Sequence, residues 1–204
     1  MTTYLLIRHA AHDLLGNRLA GRMPGVSLNA TGQAEAHQLA ERLARWPIAA
    51  IYSSPQPRAQ QTAAPLTERS KLTIQTLAEL DELDFGRWMG LGFAELENDP
   101  EWHAWNRSRS TARAPGGETM IEAQERALRG MRELEQMHPC SVVALVSHAD
   151  LIKSALMGVL RLSLDEFHRF EISPSSVSIV AQEGGYGRVL LINGNGAEAI
   201  VSTS

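Results

Sequence analysis

The sequence predicts an α/β fold, a three-layer sandwich in which a mainly parallel central sheet carries helices on both faces. Two observations support this fold class. Short apolar runs of strand length alternate with amphipathic segments whose apolar residues recur at helical spacing, which is the pattern of βαβ units. The composition is that of a globular protein, with 44% hydrophobic and 21% charged residues among 204, so disordered and collagen-like chains are excluded.

The first part of the chain predicts three strands and two helices. Residues 4–7 form an apolar run that indicates a buried strand. Thr31 can cap a helix whose apolar positions continue to Trp46, and Pro47 ends it. A strand, a helix and a third strand follow over residues 48–52, 58–68 and 72–76.

The second part of the chain begins with a segment of unclear periodicity. Residues 83–117 hold three of the four tryptophans, and we predict a small helical insertion over about residues 84–117 that lies above the sheet. Beyond it the pattern predicts a helix, a strand, a helix and an antiparallel hairpin. These elements occupy residues 119–137, 141–146, 151–159, and 177–180 with 189–192. We expect one domain over residues 1–204.

Charge and cysteine content limit the partners and the compartment. The chain has 19 Lys and Arg against 23 Asp and Glu, a net charge of −4, which gives no electrostatic support for nucleic-acid or anionic-membrane binding. Its apolar runs are far shorter than the ~20 residues of a membrane span. Cys140 is the single cysteine and no signal-peptide pattern opens the chain, so we expect a cytoplasmic protein.

Polar residues follow three of the predicted strands. Arg8-His9 follows the first strand, a serine pair follows the second, and Ser147-His148 follows the strand at 141–146. Ligands of open α/β sheets bind beyond the carboxyl ends of the strands, so these groups converge if their strands are neighbours. Arg58 lies near the start of a helix, where anions are favoured, and a guanidinium fork matches phosphate oxygens. The sequence therefore predicts a site for a dianion.

Simpler interpretations of the same residues stay open at this point. A histidine at a strand end is often structural, so a structural role is the alternative to a catalytic role for His9 and His148. The acidic cluster of Asp81, Glu82 and Asp84 is a solvated loop unless it faces the basic crevice.

Two other phosphatase chemistries fit the sequence poorly. A cysteine nucleophile needs an arginine six positions later, but Cys140 is followed there by Val146, and we expect Cys140 to be buried at a strand edge. A metal hydrolase that uses His9, His12 and His148 would need a carboxylate-rich cluster that the nearby sequence lacks. We therefore predict no metal ligand.

Six segments of the chain resemble, in order and spacing, the histidine phosphatase (phosphoglycerate mutase-like) superfamily, and within it the small phosphatases. The match covers about residues 3–180. The resemblance implies that His9 is a nucleophile that becomes phosphorylated, that Arg8, Arg58 and His148 bind the transferred phosphoryl group, and that Glu82 donates a proton. The matching segments are residues 4–10, 28–34, 53–63, 82–88, 116–118 and 147–149.

Further contacts are predicted around this pocket. The insertion over about residues 84–117 is predicted to lie over the active site. Asn17 is the nearest match to a family asparagine, and we predict Asn17 and Ala149 as additional phosphate ligands. Gly21, Trp88 and Glu118 are predicted to contact the substrate. Where the family usually has glycine after Arg-His this chain has alanine at position 10, a small methyl group that we expect to be accommodated.

The implied roles agree with the chemistry of the residues. A neutral imidazole, with an ordinary pKa of ~6.5, is a nucleophile at pH 7 without a metal. Phosphoryl transfer needs positioning and charge neutralisation, which Arg8, Arg58 and His148 would supply at the equatorial oxygens. An alkoxide leaving group needs an acid, and Glu82 meets that need if burial raises its pKa.

The resulting hypothesis is a metal-independent phosphomonoester hydrolase that needs no cofactor. Its ligands would be a small phosphomonoester and inorganic phosphate; oligomeric state is not predicted. Two alternatives are phosphoglycerate mutase-type phosphoryl transfer and a catalytically weak phospholigand-binding protein. Phe85 and Phe93 correspond to a tyrosine and a lysine of the mutases, which favours hydrolysis, and the presence of both His9 and Glu82 argues against simple binding.

Overall fold

The computed structural model describes residues 1–195, apart from the side chain of Arg69. Six strands in this part of the chain form one sheet in the order β3-β2-β4-β1-β5-β6. The strands are β1 (Thr2–Arg8), β2 (Ile48–Ser53), β3 (Ile74–Thr76), β4 (Val142–Ser147), β5 (Val177–Glu183) and β6 (Tyr186–Gly194). The α-helices are α1 (Ala30–Arg42), α2 (Pro57–Ser70), α3 (Phe93–Leu96), α4 (Pro100–Arg107), α5 (Met120–Met137) and α6 (Ala149–Leu160).

The sheet is mainly parallel, as predicted. β1 pairs in parallel with β4, β4 with β2, and β2 with β3. The last two strands form an antiparallel hairpin that joins the sheet along β1. The parallel strands β1 and β4 are buried on both faces, which explains why their sequences are continuously apolar.

Alternating side chains of β1 divide the core into two layers. Leu5 and Ile7 pack with the apolar faces of α1 and α2. Tyr4 and Leu6 point the other way, into the larger layer formed by α5, α6 and the tryptophan segment. This period-two alternation produces the three-layer sandwich that the sequence predicts.

The first helix begins and ends earlier than predicted. Its N-cap is Asn29, whose side chain accepts from the Gly32 N–H at 2.9 Å, so Thr31 lies inside the helix and not at its cap. The helix ends at Arg42 and continues only as the 3₁₀ turn Leu43–Arg45 before Trp46.

Two other elements differ in length from their predictions. β3 covers Ile74–Thr76 and not residues 72–76, because the Leu72 N–H bonds to the Ser70 hydroxyl in the turn after α2. The C-terminal hairpin is longer than predicted, since only Gly184 and Gly185, both at positive φ, separate its strands. Glycine at both positions suits a tight two-residue turn.

Cys140 is exposed, not buried at a strand edge as predicted. It adopts a positive φ of 55° just before β4, in the turn that reverses the chain after α5.

The predicted insertion is helical, and its tryptophans form its core. Trp102 stacks on Trp105 with 5.3 Å between ring centroids, and Trp88 meets Trp102 edge to face at 5.3 Å. The Trp88 indole N–H donates to Asp99 at 2.8 Å. Because these rings pack on one another and on the α5–α6 layer, the aromatic residues of the segment hold it to the domain.

The prediction of one domain over residues 1–204 includes residues 196–204, which lie outside the described residues, and it stays a prediction. Within residues 1–195, none of the helices has both the length and the apolar character needed to cross a membrane.

Replacing Asn29 tests the observed start of α1. Asn29→Ala removes the side-chain oxygen that caps the Gly32 N–H, and we expect a loss of about 1 kcal/mol in the free energy of unfolding, measured by urea denaturation. Asn29→Ser keeps a capping oxygen and should lose clearly less. Equal losses in the two variants would contradict the capping role.

Candidate active site

The carboxyl ends of three neighbouring strands meet at one edge of the sheet. Arg8 of β1 lies beside Ser147 of β4, and the His9 N–H donates to the Ser147 carbonyl at 2.9 Å. The Ser54 N–H, just after β2, donates to the Val146 carbonyl at 2.9 Å. These contacts bring the residues after each strand together, and the His9 and His148 rings lie 5.1 Å apart between centroids.

The chain after His9 is held in place by both helices on that face of the sheet. The Ala10 N–H donates to the Thr62 hydroxyl, and the Ala11 N–H donates to the Glu35 carboxylate, each at 2.9 Å. Gly32 is required beside this loop, because a Cβ there would lie 2.0 Å from the Ala11 carbonyl oxygen. Ala10 does not adopt a positive φ, so alanine is accommodated at this position without backbone strain.

A hydrogen bond fixes which nitrogen of His9 is free. Its Nδ1 lies 2.8 Å from the Ala10 carbonyl oxygen, and a carbonyl only accepts, so Nδ1 carries the hydrogen and Nε2 carries the lone pair. Burial, followed by the charges of Arg58 and Arg8, holds the pKa of His9 well below its usual range. His9 is therefore a neutral imidazole with an available Nε2 at pH 7.

Two arginines present unused donors beside His9. Arg58 is 1% exposed, and its Nη2 donates to the Gly21 carbonyl at 2.6 Å. Arg8 donates from Nη1 to the Ile172 carbonyl at 2.5 Å. Within residues 1–195, the buried Nε and Nη1 of Arg58 and the buried Nε of Arg8 have no hydrogen-bond partner. Unsatisfied buried donors are costly, and a dianion with several acceptor oxygens would satisfy them.

These groups line a cavity of about 200 Å³. Two predicted positions, Gly21 and Ala149, belong to its lining. Gly21 adopts a positive φ of 48°, which favours glycine. The polar lining comprises Arg8, His9, His12, Arg18, Arg58, Glu82 and Asp150, and the apolar lining includes Leu15, Leu19, Phe85 and Phe93.

Glu82 lines this cavity and is uncharged at pH 7. Burial, followed by the charge of Asp150, raises its pKa to about 8. Its backbone carbonyl accepts from Arg22 Nε at 2.7 Å and from Arg126 Nη2 at 2.9 Å, and its Oε2 lies 4.0 Å from His148 Nδ1. A protonated carboxyl group therefore lies near the His148 imidazole and lines the same cavity as His9 at pH 7.

His148 lies behind the cavity wall and is fully buried. Its Nδ1 faces Arg58 Nη2 at 3.1 Å and its Nε2 faces the Ser54 hydroxyl at 2.7 Å. Burial, followed by the charge of Arg58, holds its pKa well below the usual range.

Besides His148, which lies behind the wall, three other predicted contact residues are outside the cavity lining. Asn17 is exposed, and its loop turns so that its neighbours Gly16 and Arg18 border the cavity instead. Trp88 is 2% exposed in the tryptophan cluster. Glu118 bonds to Arg22 at 2.8 Å. Burial alone would raise the pKa of Glu118, but hydrogen bonds led by that from Arg126 lower it overall.

The structure adds cavity residues that the sequence did not single out as phosphate ligands or substrate contacts. His12 lies 5.1 Å from His9 between ring centroids, and burial, followed by Arg58 and Arg8, lowers its pKa to about 4. Asp150 lies two residues after His148 and also lines the cavity. The sequence signal for His12 is its position three residues after His9, although that spacing also fits a pair of metal ligands. No group of three or more potential ligand residues in the described chain is arranged to hold a metal ion.

The fold and the site define an α/β protein with a pocket lined by histidines and arginines at the carboxyl ends of its parallel strands. The chain belongs to the histidine phosphatase superfamily (branch 1), whose family model matches residues 4–195.

Similar proteins carry phosphatase names or extend beyond this chain. A bifunctional protein of Mycobacterium tuberculosis is 34% identical over 202 residues, 96% of this chain and 54% of the relative, so the chain spans about half the length of that relative. Glucosyl-3-phosphoglycerate phosphatase of M. tuberculosis is 30% identical over 169 residues, 78% of this chain and 75% of the relative. The solved structure of YhfR from Bacillus stearothermophilus superposes with a TM-score of 0.89 at 25% identity, covering 95% of this chain and 98% of that one.

The unpartnered guanidinium donors predict stabilisation by inorganic phosphate. Raising phosphate should raise the thermal unfolding midpoint, with about 2.7 kcal/mol of stabilisation at 100 times Kd. Arg58→Lys keeps a charge but loses the fork of donors, and should lose most of this effect in a thermal shift titration. Arg113→Lys is the control, because Arg113 pairs with Glu122 on the surface. An equal phosphate response in both variants would remove Arg58 from the anion site.

Proposed function

We propose that this protein is a phosphomonoester hydrolase that acts on a small phosphorylated metabolite through a phosphohistidine on His9 and needs no metal. The observation that carries the proposal is the state of His9. Its Nδ1 is committed to the Ala10 carbonyl, so Nε2 is the nucleophilic atom. The unpartnered donors of Arg8 and Arg58 lie in the same pocket.

The first half-reaction transfers the phosphoryl group to His9. Nε2 attacks phosphorus, an N–P bond forms, and the bond from phosphorus to the ester oxygen breaks. Arg8, Arg58 and His148 balance charge on the equatorial oxygens, with the N–H of Ala149 at the start of α6 as a further donor. The Glu82 proton passes to the departing oxygen, so the product leaves as an alcohol.

The second half-reaction releases phosphate. Glu82, now ionised, takes a proton from a water molecule, and the water oxygen attacks phosphorus. The N–P bond breaks, His9 returns to its neutral form and inorganic phosphate leaves. The overall reaction converts one phosphomonoester and one water into an alcohol and inorganic phosphate.

The cavity favours hydrolysis of a small ester. Its volume of about 200 Å³ is below the range typical of pockets for drug-sized ligands. Phe85 and Phe93 both line it, so these positions offer no hydroxyl or ammonium group of the kind that the mutases use on their substrate. The relative named glucosyl-3-phosphoglycerate phosphatase supports a phosphorylated metabolite as substrate. A cytoplasmic location is part of this proposal.

Trapping the phosphoenzyme tests the role of His9. The protein is incubated in EDTA with a ³²P-labelled phosphomonoester and quenched in base, and we expect acid-labile label on His9 in amounts approaching one per chain. His9→Asn should carry no label and should lose at least about 10³-fold in kcat. His37→Asn, an exposed histidine of α1, is the control.

The same experiment separates the alternatives. Label that reappears on an acceptor alcohol and not in water would indicate phosphoryl transfer. Ligand binding without label on His9 would indicate a binding protein. Either result contradicts the proposed hydrolysis.

Replacing Glu82 tests its role as the acid. Glu82→Gln should lower kcat/KM for an alkyl phosphate about 100-fold or more, but that for p-nitrophenyl phosphate less than about tenfold, because nitrophenolate needs little protonation. Since the pKa of Glu82 is about 8, wild-type kcat/KM for the alkyl ester should fall as pH rises above that value. A parallel loss on both substrates, or an unchanged alkaline limb in the variant, would exclude Glu82 as the acid.

A further inference from the structure

We propose that Ser54 and Asp81 are positioning residues, which fix the tautomer of His148 and stabilise the protonated form that this histidine adopts against a bound phosphoryl group. The inference deepens the proposed function, because it rests on His148 as a phosphoryl ligand. Ser54 is fully buried, and its hydroxyl lies 2.7 Å from His148 Nε2. It therefore acts through His148 and not on the substrate.

The direction of each hydrogen bond follows from the chemistry of its partners. Arg58 Nη2 only donates, so His148 Nδ1, 3.1 Å away, is the acceptor. The hydrogen of the neutral imidazole must then be on Nε2, which donates to the Ser54 hydroxyl at 2.7 Å. That hydroxyl in turn donates to Asp81 Oδ1 at 3.2 Å.

Ser54 has no unused hydrogen-bonding capacity in this arrangement. Its oxygen also accepts from the Gln56 N–H at 3.2 Å, so both lone pairs and the single hydrogen of the hydroxyl are in use. The hydroxyl cannot rotate without breaking one of these bonds. It therefore presents an acceptor to His148 permanently, and never a donor.

Asp81 is held as firmly as the serine that it orients. Oδ1 accepts from Gln56 Nε2 and from the Glu82 N–H, each at 2.9 Å, and Oδ2 lies 3.5 Å from Arg22 Nε. The carboxylate that anchors the Ser54 hydroxyl thus also anchors the backbone of Glu82. One buried network sets the position of both His148 and the proposed acid.

The charges around His148 show why such a network is needed. Burial disfavours its protonation most, followed by the charges of Arg58, His9, Arg126 and Arg8. The Glu82 carboxyl, 4.0 Å from Nδ1, is itself protonated at pH 7. A phosphoryl dianion reverses this balance: Nδ1 gives up its contact with Arg58 Nη2, takes a proton from solvent, and as an N–H group forms a hydrogen bond to a phosphoryl oxygen. The new positive charge is shared with Nε2, where the Ser54–Asp81 pair stabilises it, in the way that outer carboxylates raise the basicity of other histidines.

The test measures protonation of His148 directly. Full-length protein labelled with ¹⁵N-histidine is titrated with pH by NMR, with and without saturating inorganic phosphate, and His148 is assigned from the spectrum of His148→Gln. In wild type we expect Nε2–H without phosphate and a doubly protonated ring with phosphate near pH 7. In Ser54→Ala the midpoint of the His148 titration with phosphate should fall by about one pH unit, and kcat should fall about tenfold or more.

Matched variants separate positioning from packing. Ser53→Ala removes a hydroxyl that is equally buried and adjacent, but donates only to the Ser54 carbonyl, and should leave the titration and kcat unchanged. Asp81→Asn keeps an acceptor for Ser54 but removes the charge, and should lower the midpoint; Asp84→Asn should not. If Ser54→Ala does not fold, the His148 titration midpoints of Asp81→Asn and Asp84→Asn are compared, and a lower midpoint in Asp81→Asn alone supports the proposal.

The failures of the two proposals are distinguishable. A wild-type protein that binds phosphate and protonates His148 without turnover would contradict the proposed hydrolysis but not the positioning role. A His148 midpoint that is the same in wild type, Ser54→Ala and Asp81→Asn would overturn the positioning role, whatever the turnover.

Discussion

The buried guanidinium group of Arg58 is the interaction on which the rest of the site depends. It bonds to the Gly21 carbonyl and to His148, and its buried Nε and Nη1 have no hydrogen-bond partner among residues 1–195. Burial lowers the pKa of His9, His12 and His148, and the Arg58 charge lowers each of them further. The pocket thus holds its positive charge on guanidinium groups, which do not titrate near neutral pH, and leaves its imidazoles neutral and nucleophilic.

The position of Glu82 depends on parts of the chain that are distant in sequence. Its backbone carbonyl is held by Arg22 and by Arg126 of α5, and both arginines also bond to Glu118. The Ser147 hydroxyl at the end of β4 donates to the Leu80 carbonyl just before this loop, at 2.7 Å. Glu118 lies outside the cavity, but it organises the two cations that hold the acid. A carboxyl group kept uncharged by burial needs such support, because a mobile loop would let it reach water and ionise.

The sequence allowed prediction of the features that are set locally. Apolar runs indicate the strands, and the rule that ligands bind beyond strand ends places His9 and His148 together, with Arg58 near the start of a helix that favours anions. The sequence did not allow prediction of the side-chain directions in the insertion. There, Trp88 packs inward with Trp102 and Trp105, and no periodicity of the sequence indicates this packing. The tautomers of His9 and His148 were equally hidden, since they are set by single carbonyl, hydroxyl and guanidinium contacts. At the start of α1, Asn29 and Thr31 are both good caps by residue type, and only the backbone conformation selects Asn29.

The exposed Cys140 gives this molecule a practical advantage. It is the single cysteine of the chain and precedes β4, whereas His148 follows that strand. The six residues of β4 lie between them, a span of about 20 Å at the rise of an extended strand. A maleimide dye would therefore attach at one defined position, near the amino end of β4, whereas the pocket lies at its carboxyl end. Fluorescence anisotropy or single-molecule recordings become accessible on the natural sequence, without removing or adding a thiol.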